Sequence, residues 1–431
     1  MSATRNAAAT VGSAPGARWV MVGAGAALIG TCYGLARFAY GLFAPEFEAE
    51  FGISPAVAGV IGSGSYVGYC AAIVGSLILT PRWGPRRVAV LAGMVATLGI
   101  ATVAVASSAP VLAAGILIAG SSTGIASPPM AAAVARWVQQ GTQDRAQTIV
   151  NAGTGLGVLV SGPIALVLLE DWRWAWGAFA VIAAFVTGWV ALTVPPGRAD
   201  HLCAKPDLAV GAEHIDPHTR SWLVPGSVSL IGASFTMGLC SIAVWTFGHE
   251  LISSQGDAST TVSAAVWTAL GASGIVGALG GDVVQRAGLT VAWVVLMFTM
   301  GAATVLFALA PASTPVTLLA ATLFGASYIG LTGLVLIWST HLYPDRTSLG
   351  VGLSFFMIAA GQAAGAPTVG WLIESTGPTN LFYAWAGLSL IGAALRPTST
   401  PQQSPERPAP RHSRAEEETA AVTGRGSPAG E

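Results

Sequence analysis

Apolar residues run along this chain in about twelve stretches of roughly 18–25 residues, each long enough to cross a bilayer as an α-helix. They fall at 19–43, 56–79, 88–107, 111–135, 147–169 and 174–194, then at 221–247, 262–281, 289–310, 315–338, 350–373 and 379–395. The pattern predicts an all-α membrane protein of twelve transmembrane helices in two pseudo-symmetric six-helix bundles. Residues 1–18 are polar, and the apolar run after them is too long for a signal-peptide core, so it reads as an uncleaved first span. A polar segment at 195–220, with Pro195, Pro196, Arg198, Asp200, Lys205 and Glu213, separates the bundles at 19–194 and 221–395 as a linker. The tail at 396–431 is rich in Pro, Ser, Arg and Glu, cannot bury a core, and is expected to be disordered.

Composition narrows the partners. Of 431 residues 53% are hydrophobic and only 9% charged, too few to cover a soluble protein of this size. The net charge of -1 suggests no nucleic acid and no acidic partner, so a small-molecule solute and the lipid bilayer remain, with no obligate protein partner evident. The four cysteines form no CxxC or Cys/His cluster, and no cofactor or metal is called for. All but two of the 19 basic residues fall in cytoplasmic segments if both termini are cytoplasmic; the exceptions are Arg37 and Arg173. Arginine dominance with abundant Ala and Gly fits a GC-rich bacterial genome, hence a multi-pass protein of the bacterial plasma membrane.

The halves repeat at an offset of about 202 residues. Trp137 and Asp144-Arg145 match Trp338 and Asp345-Arg346, and Arg82-Trp83-Gly84 matches Arg286-Ala287-Gly288. Transporters are commonly built from such repeats, with the solute site at the repeat interface near the midplane. The loop from Gly75 to Arg87 resembles the cytoplasmic signature of the major facilitator superfamily: Arg82, Gly84, Arg86 and Arg87 match, while Pro81 stands where the acid is expected. The second copy keeps an acid at Asp282, with Arg286 and Gly288. Gly153, Gly155, Gly157 and Gly162-Pro163 resemble that family's glycine-rich fifth helix. The resemblance implies two bundles that rock about a central site, with these loops latching the inner side. The alternative for the arginines is that they only set topology. The stretch Gly34 to Pro45, with Tyr66 and Tyr69, is similar to the bacterial YbfB/YjiJ-type branch.

Candidate chemistry centres on Arg37, the one charge deep in a span, because an ion in hydrocarbon is costly and usually functional. Its guanidinium suits a carboxylate or phosphate held by two parallel hydrogen bonds. Tyr33 and Tyr40, at i−4 and i+3, are expected on its helical face. The competing reading is a structural arginine paired with Glu46 or Glu250, or snorkelling to the outer interface. Asn151 and Gln362 are intramembrane amides that either touch solute or join helices. Tyr66 and Tyr328 are candidate pore residues, and Trp245 and Trp267 either stack on a ligand ring or anchor at the interface. His249 and Glu250 are an adjacent titratable pair for proton coupling; His341 has no expected role. No Asp or Glu lies in the middle of any span, which favours an anionic or neutral cargo over a cationic drug. No enzyme or ATP-motor motif is present. The resulting expectation is a secondary transporter of a small organic anion; alternatives are an efflux pump for neutral or amphipathic compounds and a transporter-like sensor.

Overall fold

A computed structural model describes residues 15–53, 55–168, 171–197, 223–254, 256 and 259–397. Most of the 195–220 linker and of the tail from 396 lies outside the described residues. Every element described is helical, the expected solution where lipid offers the backbone no hydrogen-bond partner. Eleven helical spans meet the length and hydropathy a bilayer requires: Gly16–Phe43, Val60–Trp83, Pro85–Ala104, Ala109–Trp137, Gln140–Leu168, Trp172–Thr193, Ser227–Gly248, Thr261–Ala287, Leu289–Leu309, Thr314–Leu342 and Pro344–Gly365. The twelfth, Pro378–Ala394, is 17 residues long. They are numbered here as the first to twelfth spans.

Helix boundaries follow local chemistry. Gly84 and Gly288 open the third and ninth spans with φ near +83° and +81° and ψ of 157° and 153°. These two loop glycines of the repeat share a backbone that a side chain would strain. Pro85 and Pro378 occupy first-turn positions, where a missing N–H costs nothing. Ser259 caps the eighth span, its hydroxyl accepting from the Val262 amide.

Three elements depart from the regular pattern of the sequence. Gly30–Phe38 is a nine-residue π-helical segment inside the first span, marked by the Ala39 amide bonding back five residues to the Gly34 carbonyl at 3.0 Å. The expected outer loop around Glu46, Glu48 and Glu50 is instead a helix, Tyr40–Phe51, stopped by Gly52 in the left-handed region. The eighth span breaks at a 3-10 turn, Ile275–Leu279, before a short helix, Gly280–Ala287.

Small residues set the helix contacts. Ala26, Gly30 and Gly34 face Gly153 and Gly157 so closely that a Cβ on Gly157 would lie 2.0 Å from the Gly30 carbonyl oxygen. In the other half, Gly361 meets the Phe235 carbonyl and Gly238 that of Ile358. Such stripes let backbones touch where no hydrophobic force drives helices together. The halves meet through the fifth span against the eighth and tenth, and the second and fourth against the eleventh. The third and sixth spans pack together, as do the ninth and twelfth. Their outer faces carry exposed Leu98, Phe185, Leu192, Phe298 and Leu390, as lipid contact requires.

Candidate functional site

The π-helical segment carries Arg37, only 7% exposed, into the seam between the halves. Arg37 Nη2 donates to Gln362 Oε1 of the eleventh span at 2.9 Å. The Gln362 amide nitrogen donates in turn to Ser241 Oγ and to the Tyr328 hydroxyl, each at 3.1 Å. The guanidinium carbon lies 4.3 Å from the centre of the Tyr66 ring and 5.1 Å from that of Tyr69, both within cation–π range. Tyr33 shares a 2.8 Å hydrogen bond with Ser127, and Tyr69 donates across the seam to the Phe355 carbonyl at 3.2 Å. Among the described residues Arg37 has no ion-pair partner, and its Nε meets no acceptor.

Tyr33, Arg37, Tyr69, Asn151, Thr154, Tyr328, Thr332, Phe355, Ile358 and Gln362 enclose one central cavity. It offers about 10 Å³ to the centre of a water molecule, room for one water and no solute. The seam around Arg37 is therefore packed too tightly to hold a solute as it stands. Asn151 joins the halves, its Nδ2 donating to the Ile329 carbonyl at 3.0 Å and to Thr332 Oγ1 at 2.7 Å, and it also borders the cavity.

Tyr40 is not among the lining residues. Its ring stacks on Phe47 at 5.7 Å and lies beside Gly62 of the second span. Tyr69, Ser241 and Phe355 are site neighbours that the sequence reading did not single out. Tyr69 could have been found, because it lies one turn from Tyr66. The others follow only from the meeting of distant spans. Trp245 is 8% exposed, stacks on Phe38 at 4.1 Å and meets the half-buried Trp267 edge-on at 5.6 Å.

A guanidinium thus sits at the seam of two six-helix halves with a repeated loop glycine and glycine-lined crossings. The family model for the Major Facilitator Superfamily matches residues 26–348 and, overlapping, 231–427. The chain belongs to the major facilitator superfamily. It is thus a membrane transporter and not an enzyme. The crystal structure of the human organic anion transporter MFSD10 (TETRAN) is similar at a TM-score of 0.66 and 18% identity, over 87% of this chain and 97% of that one; at that identity the likeness concerns the fold. No curated protein matches the sequence.

The two repeated loops differ in their surroundings. In the first, Trp83, Arg86 and Arg87 line a hollow of about 460 Å³ with Pro196 and Gly197, and Arg82 is exposed. In the second, Asp282 lies 3.9 Å from Arg145 Nε. Gly281 beside it approaches the Arg145 backbone so closely that a Cβ would lie 2.8 Å from it. Arg286 and Gly288 are exposed. A second cross-seam pair joins His341 Nε2 to Asp144 Oδ1 at 3.1 Å, giving the tenth span's end a contact that its sequence position did not suggest. The His249 and Glu250 backbones lie within the helix Ser227–Ser254 that carries the seventh span, while their side chains lie outside the described residues.

Proposed function

We propose that this major facilitator protein is a secondary transporter that moves a small organic anion by alternating access, with the solute's carboxylate held by Arg37. The observation that carries the reading is a buried guanidinium with an amide for its partner and no acid beside it among the described residues. Such a charge is costly in the membrane interior and is stabilised by an arriving anion. The planar fork of Arg37 fits a carboxylate in two parallel bonds, and Tyr66 and Gln362 hold it in place from the first and second halves. The human protein that shares the fold is named an organic anion transporter, which is consistent with this cargo.

In this reading the bundles are 19–194 and 221–395, joined by a cytoplasmic linker at 195–220, with both termini cytoplasmic in a bacterial inner membrane of YbfB/YjiJ-type descent. Arg145–Asp282 and Asp144–His341 are the contacts that hold the inner side shut, and Arg82, Arg86 and Arg87 face the cytoplasm. His249 and Glu250 are the candidates for a coupled proton.

Uptake of small carboxylates into proteoliposomes, with and without a pH gradient, tests the reading. Wild type accumulates an anion, Arg37→Ala loses it, and Arg37→Lys restores part of it. Flux indifferent to Arg37 rejects an anion role for this residue.

A further inference from the structure

Buried side-chain donors that meet no acceptor gather beside Arg37. Arg37 Nε, Trp245 Nε1, Trp267 Nε1 and Ser263 Oγ are four such atoms, while Trp176 and Ser234 lie in other parts of the fold. Ring contacts and helical spacing relate the four, of which only Arg37 lines the central cavity. Phe38 follows Arg37 and stacks on Trp245 with rings 9° from parallel. Trp245 packs edge-on against Trp267, and Ser263 sits one helical turn before Trp267 on the same face. Trp245 also meets Tyr328 edge-on at 5.3 Å, and Tyr328 accepts from the Gln362 that binds Arg37.

The chemistry of this set is one-sided. Guanidinium and indole N–H groups donate and cannot accept, and a buried donor left unmet is destabilising. Beyond the cation the walls are flat rings: Phe38 from the first half, and Trp245, Phe324 and Tyr328 from the second. A solute completing this site brings a carboxylate for Arg37, a planar face for the rings and a further acceptor for the indoles.

We propose that Phe38, Trp245, Trp267 and Ser263 form the body-binding part of the same site, and that its solute is an aromatic carboxylate bearing a second acceptor oxygen. The proposal rests on Arg37 as the carboxylate anchor. Phe38 and Trp245 now stack on each other across the seam. A solute ring entering between them keeps a stacked neighbour on both sides, and its second oxygen takes the N–H of Trp267, which stands edge-on to Trp245.

The test is equilibrium binding to the purified full-length chain in nanodiscs. The probes are 3- and 4-acetylbenzoate, their near-isosteric isopropylbenzoates, and cyclohexanecarboxylate. Wild type is expected to favour an acetyl compound over its isopropyl counterpart by about tenfold or more, the scale of one unmet buried donor, and to bind cyclohexanecarboxylate more weakly. The double variant Trp245→Phe, Trp267→Phe keeps both rings and removes both N–H groups, so the ratio falls to within about twofold of one. Trp267→Phe alone lowers it partway, a readout that survives if the double variant does not fold. Equal binding of acetyl and isopropyl compounds by wild type, or a ratio that persists in the phenylalanine variants, overturns this proposal. It leaves the anion reading standing if Arg37→Gln still abolishes binding. No Arg37-dependent binding of any benzoate overturns this proposal too, and the anion reading then stands or falls on Arg37-dependent uptake of small carboxylates.

Discussion

A guanidinium at 7% exposure whose hydrogen-bond partner is a neutral amide is short of negative charge. Gln362→Glu tests that directly, because it places a carboxylate where Oε1 now lies 2.9 Å from Arg37. The internal acid takes the place of the solute's carboxylate. Anion uptake is expected to fall at least tenfold while the thermal midpoint rises, the new pair being worth about 1–3 kcal/mol as a charge-assisted bond. Gln362→Leu removes the acceptor and is expected to lower the midpoint. Parallel uptake and melting measurements decide; an unchanged midpoint in Gln362→Glu means Arg37 lacks nothing. Arg37, Asn151 and Gln362 were legible in the sequence because a charge or amide inside an apolar run stands out against its neighbours. Ser241 and Phe355 were not, since a serine and a phenylalanine in such runs are ordinary. Ser241 reaches the site because the seventh and eleventh spans of the second half pack together, and Phe355 because the second and eleventh meet at the seam.

At the scale of elements, the first and fifth spans are held by backbone contact rather than by side-chain bulk. Gly157→Ala puts a methyl 2.0 Å from the Gly30 carbonyl oxygen. It is expected to cost about 1–3 kcal/mol by overpacking, read as a lowered melting midpoint. Gly177→Ala in the sixth span, with open space around its Cα, is expected to leave stability equal or higher by up to about 1 kcal/mol. The small-residue spacing of this crossing is readable from the sequence at every fourth position. The π-helical segment is not, because the same residues satisfy α and π hydrogen bonding and tertiary contact selects between them. The helix Tyr40–Phe51 also escaped a reading based on apolar runs, because its acids resemble a loop. It has a measurable consequence. Glu50 accepts from Arg173 and from the Trp172 indole, and the Arg173 hydrogen bonds hold its carboxyl below the usual carboxylate range. A carboxyl more acidic folded than unfolded contributes fully above its unfolded value, about pH 4.3. The contribution disappears as pH falls through the lower folded value. Glu50→Gln is therefore expected to lower the melting midpoint at pH 7 by the worth of an exposed pair, about 0.2–1 kcal/mol, and to match wild type in strong acid.

For the whole molecule, the closed state and the charge of the site bear on how the cycle runs. Both halves contribute to the closure: Phe38 stacks on Trp245 on one side of Arg37, and Arg145 and Asp144 meet Asp282 and His341 toward the arginine-rich end. Every reorientation between open states passes through a closure of this kind. An empty protein carries Arg37 through it without a counter-ion; a loaded one carries a guanidinium–carboxylate pair. Leaving a buried charge uncompensated costs about 3–5 kcal/mol, so the loaded protein crosses faster by a factor on the order of 10² or more, at about 1.4 kcal/mol per tenfold. The expected behaviour is exchange. Labelled carboxylate inside proteoliposomes leaves at least tenfold faster when unlabelled carboxylate is present outside than when the outer solution is empty. For a monovalent anion the loaded site is neutral, so exchange should ignore an imposed membrane potential while net flux responds to it. Neither expectation requires a pH gradient. Equal rates into empty and loaded surroundings, in a protein whose flux still depends on Arg37, mean that the empty site finds compensation elsewhere. Glu250, in the same helix as Trp245, is then the first group to neutralise by mutation.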